Sequence, residues 1–174
     1  LAYLISENRA VTRDYLAGLA WPESSQKQAL GLLRRSLHSL SSQLPGCLEI
    51  DRRTVRWRAD APASVDIYQF ERLASSREDH DLAEGVRLYR APYLEGVYLD
   101  GCPEFERWLV SEQQRWHQRV VQMLTSLITS HIEQAEYERA LAYARRLLTL
   151  EPWHEGAHRE TMMLLARTGR IESA

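Results

Sequence analysis

Between Ser25 and Arg58 the apolar period changes once, from steps of three and four to steps of two, and this change constrains the fold more than any other feature. Leu30, Leu33, Leu37, Leu40 and Leu44 share one stripe, the spacing of a helix that buries one side. Ser25 followed three residues later by Gln28 is a capping-box pattern at its start, and Pro45-Gly46 closes it. From Leu48 the period becomes two: Leu48 and Ile50, then Val55 and Trp57, alternate with Glu49, Arg56 and Arg58 around the polar tip Asp51-Arg52-Arg53-Thr54. That pattern predicts a β-hairpin directly after the helix.

Two shorter helices are expected upstream. Leu1-Ala2-Tyr3-Leu4-Ile5 reads as the interior of an amphipathic helix, with no starter methionine, so the chain is expected to be part of a longer one. Thr12 is placed to cap the second helix, Tyr15, Leu16 and Leu19 form its apolar stripe, and Pro22 marks its end. Three helices followed by a basic-tipped hairpin are the ingredients of a winged helix-turn-helix, whose third helix enters the major groove while the wing reaches a neighbouring backbone. The polar back of the third helix holds Gln28, Gly31, Arg35, His38, Ser39 and Ser42, with Arg34 on its flank. Arg35 and His38 are then expected to face bases, and Arg52 and Arg53 phosphates.

Charge distribution agrees with that placement. Residues 1–60 hold nine Lys/Arg against six Asp/Glu, whereas the rest holds thirteen against eighteen, so the net positive balance is confined to the first third. Cys47 and Cys102 have no metal-ligand spacing and form no disulfide framework, as expected in a reducing compartment. No apolar run approaches the ~20 residues of a membrane span, and the N-terminal residues lack the basic patch and cleavage site of a signal peptide. A soluble, cytoplasmic protein with no membrane partner is expected.

The aperiodic Ala59-Asp60-Ala61-Pro62-Ala63-Ser64 is the expected boundary between a domain at 1–60 and one at 65–174. Everything after it reads as helical. Asp66 and Gln69 form another capping-box pattern at the start of a helix with the stripe Ile67, Phe70, Leu73 and Ala74; Leu82, Val86 and Tyr89 mark the next helix; turns follow at Ala91-Pro92 and Glu95-Gly96. A long helix is predicted from Pro103, with Phe105, Trp108, Leu109, Trp116, Val120, Leu124, Leu127, Ile128 and Ile132 on its buried side. Tyr137-Glu138-Arg139-Ala140 recurs as Ile171-Glu172-Ser173-Ala174, an offset of 34 residues, and Ala140 stands twelve before Pro152. This is the period of a tetratricopeptide repeat, a helix pair that buries its apolar face only by stacking on neighbours.

Specific segments are similar to a known group. Val11-Thr12-Arg13-Asp14-Tyr15-Leu16 and Leu33-Arg34-Arg35-Ser36-Leu37-His38-Ser39-Leu40 resemble the winged helix of antibiotic-regulatory-protein-type activators. Val65-Asp66-Ile67-Tyr68-Gln69-Phe70-Glu71, Tyr93-Leu94-Glu95-Gly96, Cys102-Pro103-Glu104-Phe105-Glu106-Arg107-Trp108 and Tyr137 to Trp153 resemble the bacterial transcriptional activator domain. The resemblance implies a mainly α protein, a winged helix-turn-helix lacking its N-terminal strands followed by tetratricopeptide-like repeats. It further implies double-stranded promoter DNA and RNA polymerase as partners, and DNA contacts from Arg34, Arg35, His38, Ser39, Ser42, Arg52 and Arg53; the repeats are expected to serve either dimerisation, as a homodimer, or polymerase contact. Serine at positions 39, 41 and 42, where such activators carry more arginine, implies modest DNA affinity.

Other patterns are weaker. His154-Glu155-Gly156-Ala157-His158 has the spacing of a zinc-protease helix, but it follows Pro152-Trp153, contains a glycine and has no third ligand, so a helix start is expected there. The aromatic set Trp108, Trp116, Tyr137, Tyr143 and Trp153 is expected in the core. With no phosphate-cradling Gly-rich loop and no Ser/His/Asp signature, no catalytic residue, metal or cofactor is expected, and the chain is not read as an enzyme. The rival reading is a protein-interaction scaffold whose degenerate winged helix binds no DNA.

Overall fold

The structure is a computed structural model that describes residues 1–169. It is mainly helical with one small sheet and divides into two compact units, residues 1–65 with 94–112, and residues 66–93 with those from 113 onward. The recurrence at Ile171–Ala174 lies outside the described residues.

In the first unit, helix α1 (Ala2–Glu7) buries Tyr3 and Leu4 and ends at Asn8, which adopts the left-handed conformation and donates its N–H to the Leu4 carbonyl. Strand β1 (Val11–Thr12) follows, then α2 (Arg13–Ala20), capped by Thr12, whose hydroxyl accepts the Tyr15 N–H at 3.3 Å. Helix α3 (Gln26–Gln43) starts with the reciprocal Ser25/Gln28 capping box and buries Ala29, Leu33 and Leu37. Leu30, Leu40 and Leu44 are half-buried, so the stripe is real but its deepest line runs through Ala29. The hairpin is β2 (Leu48–Ile50) and β3 (Thr54–Trp57), in the antiparallel register Leu48↔Trp57 and Ile50↔Val55.

The hairpin is not a free wing. Strand β3 is central in a three-stranded sheet, because β1 pairs with its other edge through Val11↔Val55 and Thr12↔Thr54. Val11 and Val55 are accordingly buried, while Ile50 on outer strand β2 is exposed. Two residues are too short to show a period, so β1 leaves no alternation to read. Tyr15, expected on the buried stripe of α2, is 44% exposed, and Ala17 takes the inner position. Residues 94–112 belong to this unit and supply buried Cys102, Phe105 and Leu109; the Cys102 thiol donates to the Ala20 carbonyl at 3.4 Å.

The second unit contains α4 (Asp66–Ala74), α5 (Asp79–Leu88), the part of α6 (Pro103–Glu133) beyond residue 112, α7 (Tyr137–Leu150) and α8 (Glu155–Arg167). Its core joins Phe70, Val86 and Trp116 to the α6 stripe Val120, Leu124, Leu127 and Ile128, and on to Ala140, Ala144 and Leu164. Small residues admit close helix approach. At Gly85 an added methyl would overlap the Met123 Cε and sit 3.3 Å from the Leu73 Cβ. Pro152 falls in the short connection between α7 and α8. The aromatic set divides: Trp116 is 3% exposed, Trp108, Tyr137 and Tyr143 are half-buried, and Trp153, expected in the core, is 92% exposed in that connection. No helix among the described residues is long and apolar enough to cross a membrane.

Candidate nucleic-acid interface

The outer face of α3 is set by its helical period. With Ala29, Leu33 and Leu37 turned inward, Lys27, Gln28, Arg34, Arg35, His38, Ser39 and Ser42 are exposed on the solvent side. Two of these are engaged within the helix: the Ser42 hydroxyl donates to the His38 carbonyl at 3.0 Å, and the Ser39 hydroxyl accepts from the Gln43 amide at 3.2 Å.

The wing tip is held rigidly. One Asp51 carboxylate oxygen accepts the N–H groups of Arg53 at 2.6 Å and Thr54 at 2.8 Å, and the other accepts the Thr54 hydroxyl at 2.8 Å. The backbone bond from Thr54, then that from Arg53, then the Thr54 hydroxyl hold the Asp51 pKa down at about 2. The tip is also tied to α2: the Arg13 N–H donates to the Arg53 carbonyl at 2.8 Å, and the Arg13 guanidinium to the Asp51 carbonyl at 3.3 Å. These bonds position Arg52 and Arg53 through backbone, leaving their side chains exposed.

Between the wing tip, the start of α2 and the first half of α3 lies a cleft of about 470 Å³ lined by Arg13, Asp14, Lys27, Arg34, Arg52 and Arg53 over Leu30 and Gly31. It brings together three residues expected from the sequence, Arg34, Arg52 and Arg53, and leaves Arg35, His38, Ser39 and Ser42 outside it, elsewhere along α3. Arg13 and Lys27 were missed. Lys27 stands seven residues before Arg34, two helical turns away on the same face, so periodicity offered it. Arg13 could be found only from the β1–β3 pairing. The single carboxylate in the lining, Asp14, accepts from the Gln26 amide at 3.0 Å, which fastens the start of α3 to α2.

The nine cations of residues 1–60 divide sharply. Arg9, Arg56 and Arg58 are paired with Glu7, Glu49 and Asp60 at 2.8, 2.7 and 2.7 Å. Among the described residues no carboxylate lies within ion-pair distance of Arg13, Lys27, Arg34, Arg35, Arg52 or Arg53. All the unpaired cations of this segment thus stand on or beside one surface, where six positive charges are offset only by the carboxylates of Asp14 and Asp51.

At the other end of the chain, the His154–His158 stretch forms a helix start. The His154 Nδ1 accepts the Ala157 N–H at 3.0 Å as the cap of α8, and the His158 Nε2 donates to the Pro152 carbonyl at 2.7 Å. Among the described residues no three His, Cys, Asp or Glu side chains gather as a metal site would require.

A family model described as "Bacterial transcriptional activator domain" matches residues 65–174. No curated protein matches the chain.

Proposed function

The chain belongs to the bacterial transcriptional activator domain family, and from that premise we propose that it is a regulator that binds double-stranded promoter DNA through its N-terminal winged helix. The observation that carries this reading is the segregation of six unpaired cations onto the α3 face, the wing tip and the start of α2, next to neighbours that are neutralised pair by pair.

In this reading the cleft seats a strand of the sugar-phosphate backbone. Arg13, Lys27, Arg34, Arg52 and Arg53 surround it, and such contacts fix register without carrying sequence information. Arg35 and His38 face the base edges of the major groove. An arginine bidentate to guanine is worth about 1–3 kcal/mol of discrimination. Ser39 and Ser42 are placed along the same helix, but their hydroxyls already serve partners within it, so they contribute less than the arginines. The helical module engages RNA polymerase or a second copy of the chain.

One observation favours the rival scaffold reading, namely those same two serines satisfied inside α3. The test is binding of the full parent chain to promoter DNA of its own operon and to unrelated duplex across a salt series, with its Arg34→Ala/Arg35→Ala variant alongside. A preference for the promoter that vanishes in the variant supports the regulator. Equal, weak binding by both proteins to both duplexes overturns it in favour of the scaffold.

A further inference from the structure

The second unit carries a separate cationic groove that the DNA reading does not use. It lies between α5 and α7, with a volume of about 460 Å³. Its floor is Val86, Ala142 and the rings of Tyr89 and Tyr143, and its rim is Arg87, Arg90 and Arg146. No carboxylate lines it.

The groove is built from held parts. The Tyr143 ring stacks on the His131 imidazole at 5.5 Å and 9°, and His131 is itself fixed by Glu136 at 2.8 Å. The Arg146 guanidinium donates to the carbonyl of Tyr89, the cap of α5, at 3.2 Å, which leaves its other N–H groups for a ligand. Arg87 meets Glu84 at 3.3 Å on the open surface, a pairing that competes weakly with a ligand carboxylate. Arg90 is exposed, and among the described residues it has no carboxylate within ion-pair distance. Three guanidiniums around an apolar floor call for an anion that also brings an apolar group. A sugar-phosphate backbone would leave the Tyr and Val floor uncovered, whereas a peptide can set an aliphatic or aromatic side chain on it while flanking carboxylates meet the arginines in bidentate geometry.

We propose that the α5–α7 groove docks an acidic peptide segment of a partner protein, with one apolar side chain on the Val86, Tyr89 and Tyr143 floor and its carboxylates on Arg87, Arg90 and Arg146. The inference is independent of DNA binding. The test is fluorescence anisotropy of the full chain with a labelled peptide in which Glu and Asp alternate with Leu and Phe, its counterpart with Lys at every acidic position, and a random-sequence duplex as competitor. The acidic peptide binds and the basic one does not; Arg87→Glu/Arg90→Glu weakens it at least about tenfold, while Arg90→Lys and the Arg34→Ala/Arg35→Ala variant retain it. Both charge-reversed residues are exposed, and an unchanged circular dichroism spectrum excludes misfolding. Peptide binding that survives the charge reversal, or that is lost in Arg34→Ala/Arg35→Ala, assigns it to the N-terminal surface and overturns the proposal. So does displacement of the peptide by duplex in the Arg34→Ala/Arg35→Ala background, which would make the groove a nucleic-acid site.

Discussion

Removing Arg13 and Lys27 together separates the phosphate cleft from every other explanation of DNA binding, because neither residue lies among the α3 positions assigned to base edges. If all five cleft cations neutralise phosphates, the counterion-release slope of log K against log salt is about −4.5, at about 0.9 per phosphate. The Arg13→Ala/Lys27→Ala variant then has a slope of about −2.7. Between about 50 and 200 mM salt, affinity of the parent chain falls some 500-fold and that of the variant about 40-fold. The loss is equal for promoter and unrelated duplex, since backbone contacts carry no sequence information. Arg35→Ala behaves oppositely: it removes about 1–3 kcal/mol from promoter binding and little from unrelated duplex. Anisotropy titrations at several salt concentrations measure both. A slope unchanged by the double substitution would refute the cleft as a phosphate seat, even if the protein binds DNA by another surface.

The other predictions concern the scaffold around these sites. Trp116→Ala lowers unfolding free energy by about 3–5 kcal/mol, whereas Trp153→Ala stays within about 0.5 kcal/mol, by denaturant titration. His154→Ala destabilises the start of α8 by about 1 kcal/mol, and His154→Ser recovers most of it; the readout is amide exchange at Ala157. Asp51 has a depressed pKa, so its stabilisation of the wing is complete above the unfolded value near 4 and is lost as pH falls toward about 2. In Asp51→Ala the amides of Arg53 and Thr54 exchange faster at every pH above that window, and the acid-induced loosening expected of the parent chain is absent.

Elements with a long period were legible, and those defined by pairing were not. The capping box at Ser25/Gln28, the leucine stripe of α3, the hairpin and the start of α6 at Pro103 all follow from local spacing. Strand β1 did not, because two residues carry no alternation and their role is fixed by Val55 and Thr54 more than forty residues away. Residues 94–112 have helical and turn signals, but nothing local says that Cys102 will meet the Ala20 carbonyl. Trp153 failed for a different reason: helical spacing places an aromatic on a face only if the helix continues through it, and here α7 ends at Leu150 and α8 starts at Glu155.

The cation surface shows why counting charges reads a site incompletely. Nine cations against six carboxylates suggest a weak net +3, but three of the cations are spent on carboxylates within seven residues in sequence. The remaining six are not diluted by that pairing. Arg34 and Arg35 reach the surface through the α3 period, Lys27 through the same period two turns earlier, and Arg52 and Arg53 through the hairpin tip. Arg13 joins them only because β1 leads directly into α2 and its N–H closes on the Arg53 carbonyl. The short strand that the sequence hid is therefore what ties the wing to the helix pair and closes the third side of the cleft. Weakening β1, for instance by Val11→Asp, should cost the unit its buried Val11–Val55 contact and release the wing together. A variant that stays folded, shown by an unchanged circular dichroism spectrum, but loses the salt slope of the parent would tie the electrostatics to that strand; retention of the full slope would mean the wing holds its position without it.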